Sequence, residues 1–298
     1  MLVDEALRIA GSLGPPGDYY EAVKAVAVAC SCLTVLAMQV ALPLPAYEAI
    51  PLKFRWQNAV ANLCLALVTT VGVSLICGTC LLSVAQTAEN SGFGLTQGWP
   101  LVLRMVLSVL VLDLTAYVWH RLNHRISALW RYHKVHHSDA VYDGTTAFRF
   151  HPGEVIISLG VRLGVVLTLG LPWQGILLFE VVFTFFNVFE HGALRLPRKC
   201  EKSLQWIFIT PGIHRKHHSS HEEHVDRNFG TIFSVWDRLG RSFLEGSTHE
   251  DFTVGLPEGS SVSSTGGQGG RGLPKIGGLW TLLWMPWAER GSAGSRRT

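Results

Sequence analysis

The sequence LVLRMVLSVLVLDLTAYVWHRLNHRISALWRYHKVHH spans residues 101–137 and joins an apolar segment to a histidine-rich one. The apolar segment begins two residues earlier and covers residues 99–119, which is about the 20 residues that an α-helix needs to cross a bilayer. The part that follows carries histidines at positions 120, 124, 133, 136 and 137. A membrane span that leads directly into a histidine cluster is the feature from which the other interpretations follow.

Three more stretches, residues 25–45, 58–86 and 155–190, are nearly free of charge. Over the whole chain 48% of residues are apolar and 16% are charged, whereas soluble domains average about 25% charged residues. Leu171-Pro172 interrupts the last stretch, and proline breaks a helix, so we expect a helical hairpin there. The sequence predicts an all-α, multi-pass membrane helical bundle with three full spans and this hairpin.

Basic residues follow the first and third spans, and basic loops mark the cytoplasmic side of a membrane. If the hairpin enters and returns, every histidine cluster lies on that side. We therefore expect a multi-pass integral membrane protein with a cytoplasmic histidine-rich helical cap, in a bacterial inner membrane or the endoplasmic reticulum. The net charge of +3 and the lack of a basic, aromatic-lined groove argue against nucleic acid as a partner.

Three regions are predicted along the chain. Residues 1–54 hold an N-terminal helix and the first span, residues 55–250 form a catalytic membrane domain, and residues 251–298 form a tail. Within the tail, residues 257–275 are rich in Gly and Ser, which is typical of a flexible linker. The apolar, Trp-rich segment 276–287 is too short to span; we expect an interfacial anchor, or alternatively a segment that packs on the cap.

Ten of the 13 histidines lie between His120 and His218. They include one His-x-x-x-His pattern and two His-x-x-His-His patterns, and these spacings put imidazoles on one face of a helix. Eight imidazoles are too many for one tetrahedral zinc ion, so two metal ions fit better. The predicted ligands in these patterns are His120, His124, His133, His136, His137, His214, His217 and His218.

Asp113 lies on the same helical face as His120, inside the third span. A carboxylate inside a membrane is costly and usually functional. Metal-bound histidines commonly donate their second ring N–H to such a group. Asp113 is thus a candidate partner of the ligands, with a structural hydrogen-bonding role as the alternative.

The three histidine patterns, with Asp113-Leu-Thr-Ala-Tyr117, Thr210-Pro211-Gly and Asn228-Phe-Gly, resemble the fatty acid hydroxylase superfamily over about residues 55–245. The resemblance implies a non-haem di-iron oxygenase that hydroxylates or desaturates an acyl or sterol-like lipid. It adds His191 as a ninth ligand and Asn187 as a weaker candidate, and it suggests a place for His151 near the ligands or the substrate. No catalytic residue beyond the metal centre is implied.

The cofactors implied are two Fe ions, with O2 as co-substrate. The chain has no Gly-x-Gly-x-x-Gly fingerprint and no cysteine cluster for iron–sulfur ligation, so we expect an external electron donor, either a protein or a soluble reductant. The alternatives are a haem protein and a non-catalytic metal-binding or metal-transport protein. Transport would require polar residues within several spans, and the first two spans have almost none. His221 and His224 are predicted to lie in a solvated lid, and His249 has no assigned role.

Overall fold

The structure is a computed structural model that describes residues 16–77, 80–256 and 277–288. Within these residues the chain is almost entirely helical and contains no strand, which confirms the predicted class. The α-helices, in chain order, are α1 (Pro16–Ala41), α2 (Pro45–Glu48), α3 (Leu52–Cys77), α4 (Cys80–Ser91), α5 (Leu101–Arg125), α6 (Ser127–His137), α7 (Pro152–Leu169), α8 (Trp173–Glu190), α9 (Arg198–Leu204), α10 (Pro211–His217), α11 (Val235–Leu239) and α12 (Leu279–Trp284). Short 3-10 helices cover Gly144–Phe148, Glu222–His224 and Met285–Trp287.

Five segments in the described part of the chain are long and apolar enough to cross a membrane: Tyr19–Ala41, Leu52–Ser91, Leu101–Arg125, Pro152–Leu169 and Trp173–Glu190. Their outer faces carry large exposed apolar side chains, such as Val40, Leu67 and Leu75. Such faces are stable only against lipid or another protein. The chain is an integral membrane protein built as a helical bundle, as the sequence predicts.

The predicted hairpin of residues 155–190 is the pair α7 and α8. Helix α7 ends at Leu169 and is capped by Gly170, which has a φ of +66°. Glycine adopts this left-handed conformation without strain. Pro172 then precedes α8. Helix α8 packs between α1 and α5, and a Cβ atom at Gly175 would clash with Oγ of Ser108. The hairpin therefore sits inside the bundle, where α8 approaches α5 closely.

A buried polar network connects α3 to the segment that follows α6. Both carboxylate oxygens of Asp139 accept hydrogen bonds: Oδ2 from Asn58 and Asn62 of α3, each at 3.0 Å, and Oδ1 from two backbone N–H groups. The Arg149 guanidinium donates to Asn62 at 2.7 Å and to the carbonyl of Val135 at 2.9 Å. The histidine-bearing helix α6 is thereby tied to a membrane helix.

Two segments outside the long helices also pack on this bundle, one directly after α1 and one at the C-terminal end of the described residues. Residues 42–44 contact residues 193–195 through backbone hydrogen bonds, which places the end of α1 beside the end of α8. Leu282 of α12 is fully buried against Ala61 and Leu65 of α3 and Val135 of α6. The alternative expectation, that this segment packs on the cap, fits the structure, although Trp280, Trp284 and Trp287 stay exposed. The predicted linker, residues 257–275, lies outside the described residues.

Candidate metal centre

Nine histidines gather at the end of the bundle where α5 meets α6 and α8 meets the segment containing α10. Their ring nitrogens form two groups, in each of which the nearest nitrogens lie within 4.8 Å of one another. The first group consists of His120, His124, His133, His137 and His217. The second group consists of His136, His191, His214 and His218. These nine are the residues that the sequence proposes as ligands.

The helical spacing explains how the histidines divide. Positions four apart differ by about 40° around a helix, whereas adjacent positions differ by about 100°. Every pair four apart, 120/124, 133/137 and 214/218, falls in one group. His136 and His217 point away from those pairs and join the opposite group. Each His-x-x-His-His pattern therefore contributes to both groups, which brings the groups into contact.

The distances between nitrogens suit a shared metal ion. The Nε2 atoms of His124 and His217 lie 3.1 and 3.2 Å from Nε2 of His137. In the second group, Nε2 of His191 lies 3.2 Å from that of His136 and 3.0 Å from that of His214. Imidazole nitrogens bound at about 2.0–2.1 Å would lie roughly 3.0–3.4 Å apart. The arrangement therefore fits metal ions coordinated by neighbouring Nε2 atoms.

Several rings are held with Nε2 facing the centre by a hydrogen bond from Nδ1. The Nδ1–H groups of His120, His191 and His217 donate to the carbonyls of Phe229, Asn187 and Arg227 at 2.9, 2.6 and 2.7 Å. Four other ring nitrogens are buried without a hydrogen-bond partner among the described residues. They are Nε2 of His120, Nε2 of His133 and both nitrogens of His218. Buried polar atoms without partners are rare, and these nitrogens are suited to coordinate a metal ion.

Burial keeps five of the nine imidazoles neutral. It lowers the pKa of His191 to about 4 and that of His217 to about 3, although the carbonyls of Asn187 and Arg227 raise them in part. Burial, reinforced by neighbouring imidazoles, also lowers the pKa of His136, His214 and His218. Neutral imidazole is the form that binds a metal, so these five histidines are ready to bind one at neutral pH.

Two carboxylates that the sequence did not single out support the ligands. Oε1 of Glu154, at the start of α7, accepts a hydrogen bond from Nδ1 of His133 at 2.8 Å and another from Asn123 at 3.0 Å. Oε2 of Glu190 lies 3.6 Å from Nδ1 of His214 and has no hydrogen-bond partner among the described residues. The only sequence signal was a charged residue at each edge of an apolar hairpin.

We expect Glu154→Ala to weaken metal binding about 10- to 100-fold, the usual effect of removing a carboxylate that orients a metal-bound histidine. The loss follows because His133 would no longer be held by an acceptor. Metal content after dialysis against a graded series of chelator concentrations measures the effect. Glu48→Ala, an exposed carboxylate outside the cluster, is the matched control. Equal metal retention in the two variants would show that His133 does not need Glu154.

The three predicted supporting residues are placed differently. Asp113 accepts hydrogen bonds from the backbone of Ile232 and Phe233 and from Trp236, at 2.7–3.2 Å. These contacts fit the alternative of a structural hydrogen-bonding role. His151 belongs to neither group. Its ring accepts a hydrogen bond from the backbone N–H of Gly153 and donates one to the carbonyl of Leu283. Asn187 reaches the cavity described below, while its side chain donates to the carbonyl of Ala147.

The other histidines stay outside the two groups. His221 is exposed, as expected of a solvated lid. His224 is buried, with 9% of its surface exposed, so the prediction of a solvated lid is wrong for His224. His224 packs against Phe252, with ring centroids 5.3 Å apart. His249 donates to the carbonyl of Leu196 and accepts from Arg195. Its two hydrogen bonds give it a structural role.

A cavity of about 200 Å³ opens onto both histidine groups. His120 and His133 of the first group and His136, His191 and His214 of the second line one part of it. Apolar side chains of the membrane helices form much of the rest, including Trp119, Val161, Phe179 and Phe183. A mostly apolar cavity beside a cluster of metal-binding groups is the expected form of a site for an apolar molecule.

Residues 105–242 match the model of the family described as "Fatty acid hydroxylase", and this segment contains all nine histidines. This chain contains a fatty acid hydroxylase domain. The chain is similar to ornithine lipid hydroxylase OlsE of Rhizobium tropici, with 29% identity over 49% of this chain and 43% of that protein. No solved structure matches the chain significantly.

Two further relatives come from animals. Alkylglycerol monooxygenase of Caenorhabditis elegans is 28% identical over 47% of this chain and 26% of that protein. Human cholesterol 25-hydroxylase is 28% identical over 47% of this chain and 50% of its own length. The similarity therefore covers half or less of each of these relatives and about half of this chain.

Proposed function

We propose that this protein is an O2-dependent membrane oxidoreductase that hydroxylates an acyl or sterol-like lipid at a di-iron centre held by the nine histidines. The observation that carries the proposal is the pair of buried histidine groups beside an apolar cavity. The names of the relatives support a hydroxylase and favour hydroxylation over desaturation. Imidazole ligands accept both iron and zinc, but O2 activation needs a redox metal.

When bound, the iron ions supply the redox chemistry that activates O2 toward a C–H bond. The chain itself supplies two things. The Nδ1 hydrogen bonds of His120, His191 and His217 fix the orientation of the ligands. Phe179 and Phe183 provide an apolar wall that excludes water from the lipid chain. Electrons come from an external donor in this proposal, since the chain contains no nucleotide fingerprint.

A turnover assay with purified protein tests the proposal. The protein keeps its metals and is given a chemical reductant, a membrane lipid extract and isotopically labelled O2. We expect iron in excess of zinc and the label in a lipid hydroxyl group. Desaturation would instead give a new alkene without label. Zinc in excess of iron, together with no oxidised lipid, would overturn the proposal and favour the non-catalytic metal-binding alternative.

The cytoplasmic position of the cap and the three-region division of the chain remain predictions. Cys200 lies exposed in α9, next to the basic residues Arg198 and Lys199 of the predicted cytoplasmic surface. A membrane-impermeant maleimide should therefore label inverted membrane vesicles and leave right-side-out vesicles unlabelled. Cys200→Ser serves as the control, because the label should disappear. Labelling of right-side-out vesicles alone would place the cap on the opposite side.

A further inference from the structure

A polar stripe on α7 runs along the cavity away from the histidines. Glu154, Ser158 and Arg162 are spaced four residues apart, and all three line the cavity. Residues at this spacing lie on one helical face. Glu154 contacts His133, and Arg162 lies eight residues further along α7, or about 12 Å at 1.5 Å per residue. Arg162 therefore marks the part of the cavity remote from the metal centre.

The Arg162 side chain retains a hydrogen-bond donor that no described residue uses. Its Nε atom is buried without a partner, and its Nη1 lies 4.0 Å from Oε1 of Glu180, which is too far for a hydrogen bond. Glu180 has partners of its own in α1: Tyr20 donates to it at 2.8 Å, and Lys24 lies 3.4 Å away. Arg162 thus has a charge partner but an unused donor.

Such a residue is unusual within a membrane span. Ionisable side chains inside a bilayer are costly and commonly mark the path or the site of a substrate. A guanidinium only donates hydrogen bonds, so the group it binds must be an acceptor, such as an oxygen atom. Glu180 already gives Arg162 an anionic partner. Lys24, the other cation beside Glu180, also pairs with Glu21, so these charges balance without a further anion. The recognised group is therefore a neutral oxygen.

We propose that Arg162 selects the lipid substrate by donating a hydrogen bond to a neutral oxygen of the lipid, in a hydroxyl or an ester carbonyl. The carbon to be oxidised then lies about 12 Å away, beside the histidines. The class of substrate is a neutral lipid with one polar end, rather than a hydrocarbon or a free fatty acid anion. This inference rests on the proposed function for what happens at the metal end, but the recognition by Arg162 can be measured without turnover.

The test measures binding of four probes to the full-length protein without reductant, by native mass spectrometry in nanodiscs: decanol, methyl decanoate, decanoate and decane. We expect decanol or methyl decanoate to bind at least about tenfold more tightly than decane, in line with a hydrogen bond to a charged donor. Decanoate should bind more weakly than decanol, because the charges around Arg162 already balance and the buried carboxylate would have no unpaired cation to offset its loss of water. Equal binding of all four probes, or preference for decanoate, would overturn the proposal.

Arg162→Met should reduce the preference for decanol over decane to about onefold while leaving decane binding unchanged. Lys24→Met is the matched control, because Lys24 also pairs with Glu180 but does not line the cavity. If Arg162→Met fails to fold, the double variant Arg162→Met with Glu180→Gln removes both charges and gives the same readout. A preference that survives in either variant contradicts the role of Arg162. Because the measurement without reductant involves no turnover, this failure would leave the di-iron proposal standing.

Discussion

Replacement of His217 by alanine is expected to abolish lipid oxidation, with a fall of at least about 100-fold, since even the loss of a group that only orients a ligand costs 10- to 100-fold. His217 belongs to the first histidine group, and its Nε2 lies 3.2 Å from that of His137. Its removal would leave that group short of a nitrogen and open a space in a buried site. Product formation under labelled O2 and the iron content per chain measure the effect.

His221→Ala is the matched control for this substitution. His221 is four residues from His217 and is exposed outside both groups. It should retain both the metal and the activity. If His217→Ala remained active with its full iron content, the first histidine group would not be the metal site.

Replacement of Asp139 by alanine is expected to have the largest effect on stability, about 3–5 kcal/mol, because it leaves the buried charge of Arg149 without compensation. Burial alone would raise the pKa of the Asp139 carboxyl. Arg149 and the hydrogen bonds from Asn58 and Asn62 outweigh burial and lower that pKa. The carboxylate is therefore charged at neutral pH, and it holds five hydrogen-bond donors in place.

Thermal unfolding of the metal-loaded protein in detergent measures this effect as a fall in Tm. Asp251→Ala changes an exposed carboxylate and should alter the free energy of unfolding by no more than about 0.5 kcal/mol. Asp139→Asn separates the two contributions, since it keeps an oxygen acceptor but removes the charge. A Tm equal to that of the wild type in Asp139→Ala would show that this network does not stabilise the cap.

The sequence predicted the helical bundle and eight of the nine clustered histidines because both depend on local spacing, whereas His191 came only from the family resemblance. Apolar length determines whether a helix can span, and four-residue spacing determines which imidazoles share a face. The break at Pro172 and the left-handed Gly170 that precedes it are likewise local. These features need no knowledge of which distant segments meet.

The supporting contacts depend on distant segments and could not be predicted in this way. Asp113 shares a helical face with His120, yet its partners come from residues 232–236, more than a hundred positions later. Glu154 resembles an ordinary acidic residue in the first turn of a helix, and its contact with His133 appears only when α7 packs beside α6. Helical spacing identifies a face, but tertiary packing decides what that face meets.

The division of the histidines also has a consequence for biosynthesis. The second group draws on His136, His191, His214 and His218, which are separated by up to 82 positions (218 − 136) in the chain. A nascent chain that ends at His191, directly after α8, carries two of these four histidines. Metal loading of this group must therefore follow the synthesis and packing of α10. A metal bound there would act as a late checkpoint, joining the last helices of the cap to membrane helices inserted earlier.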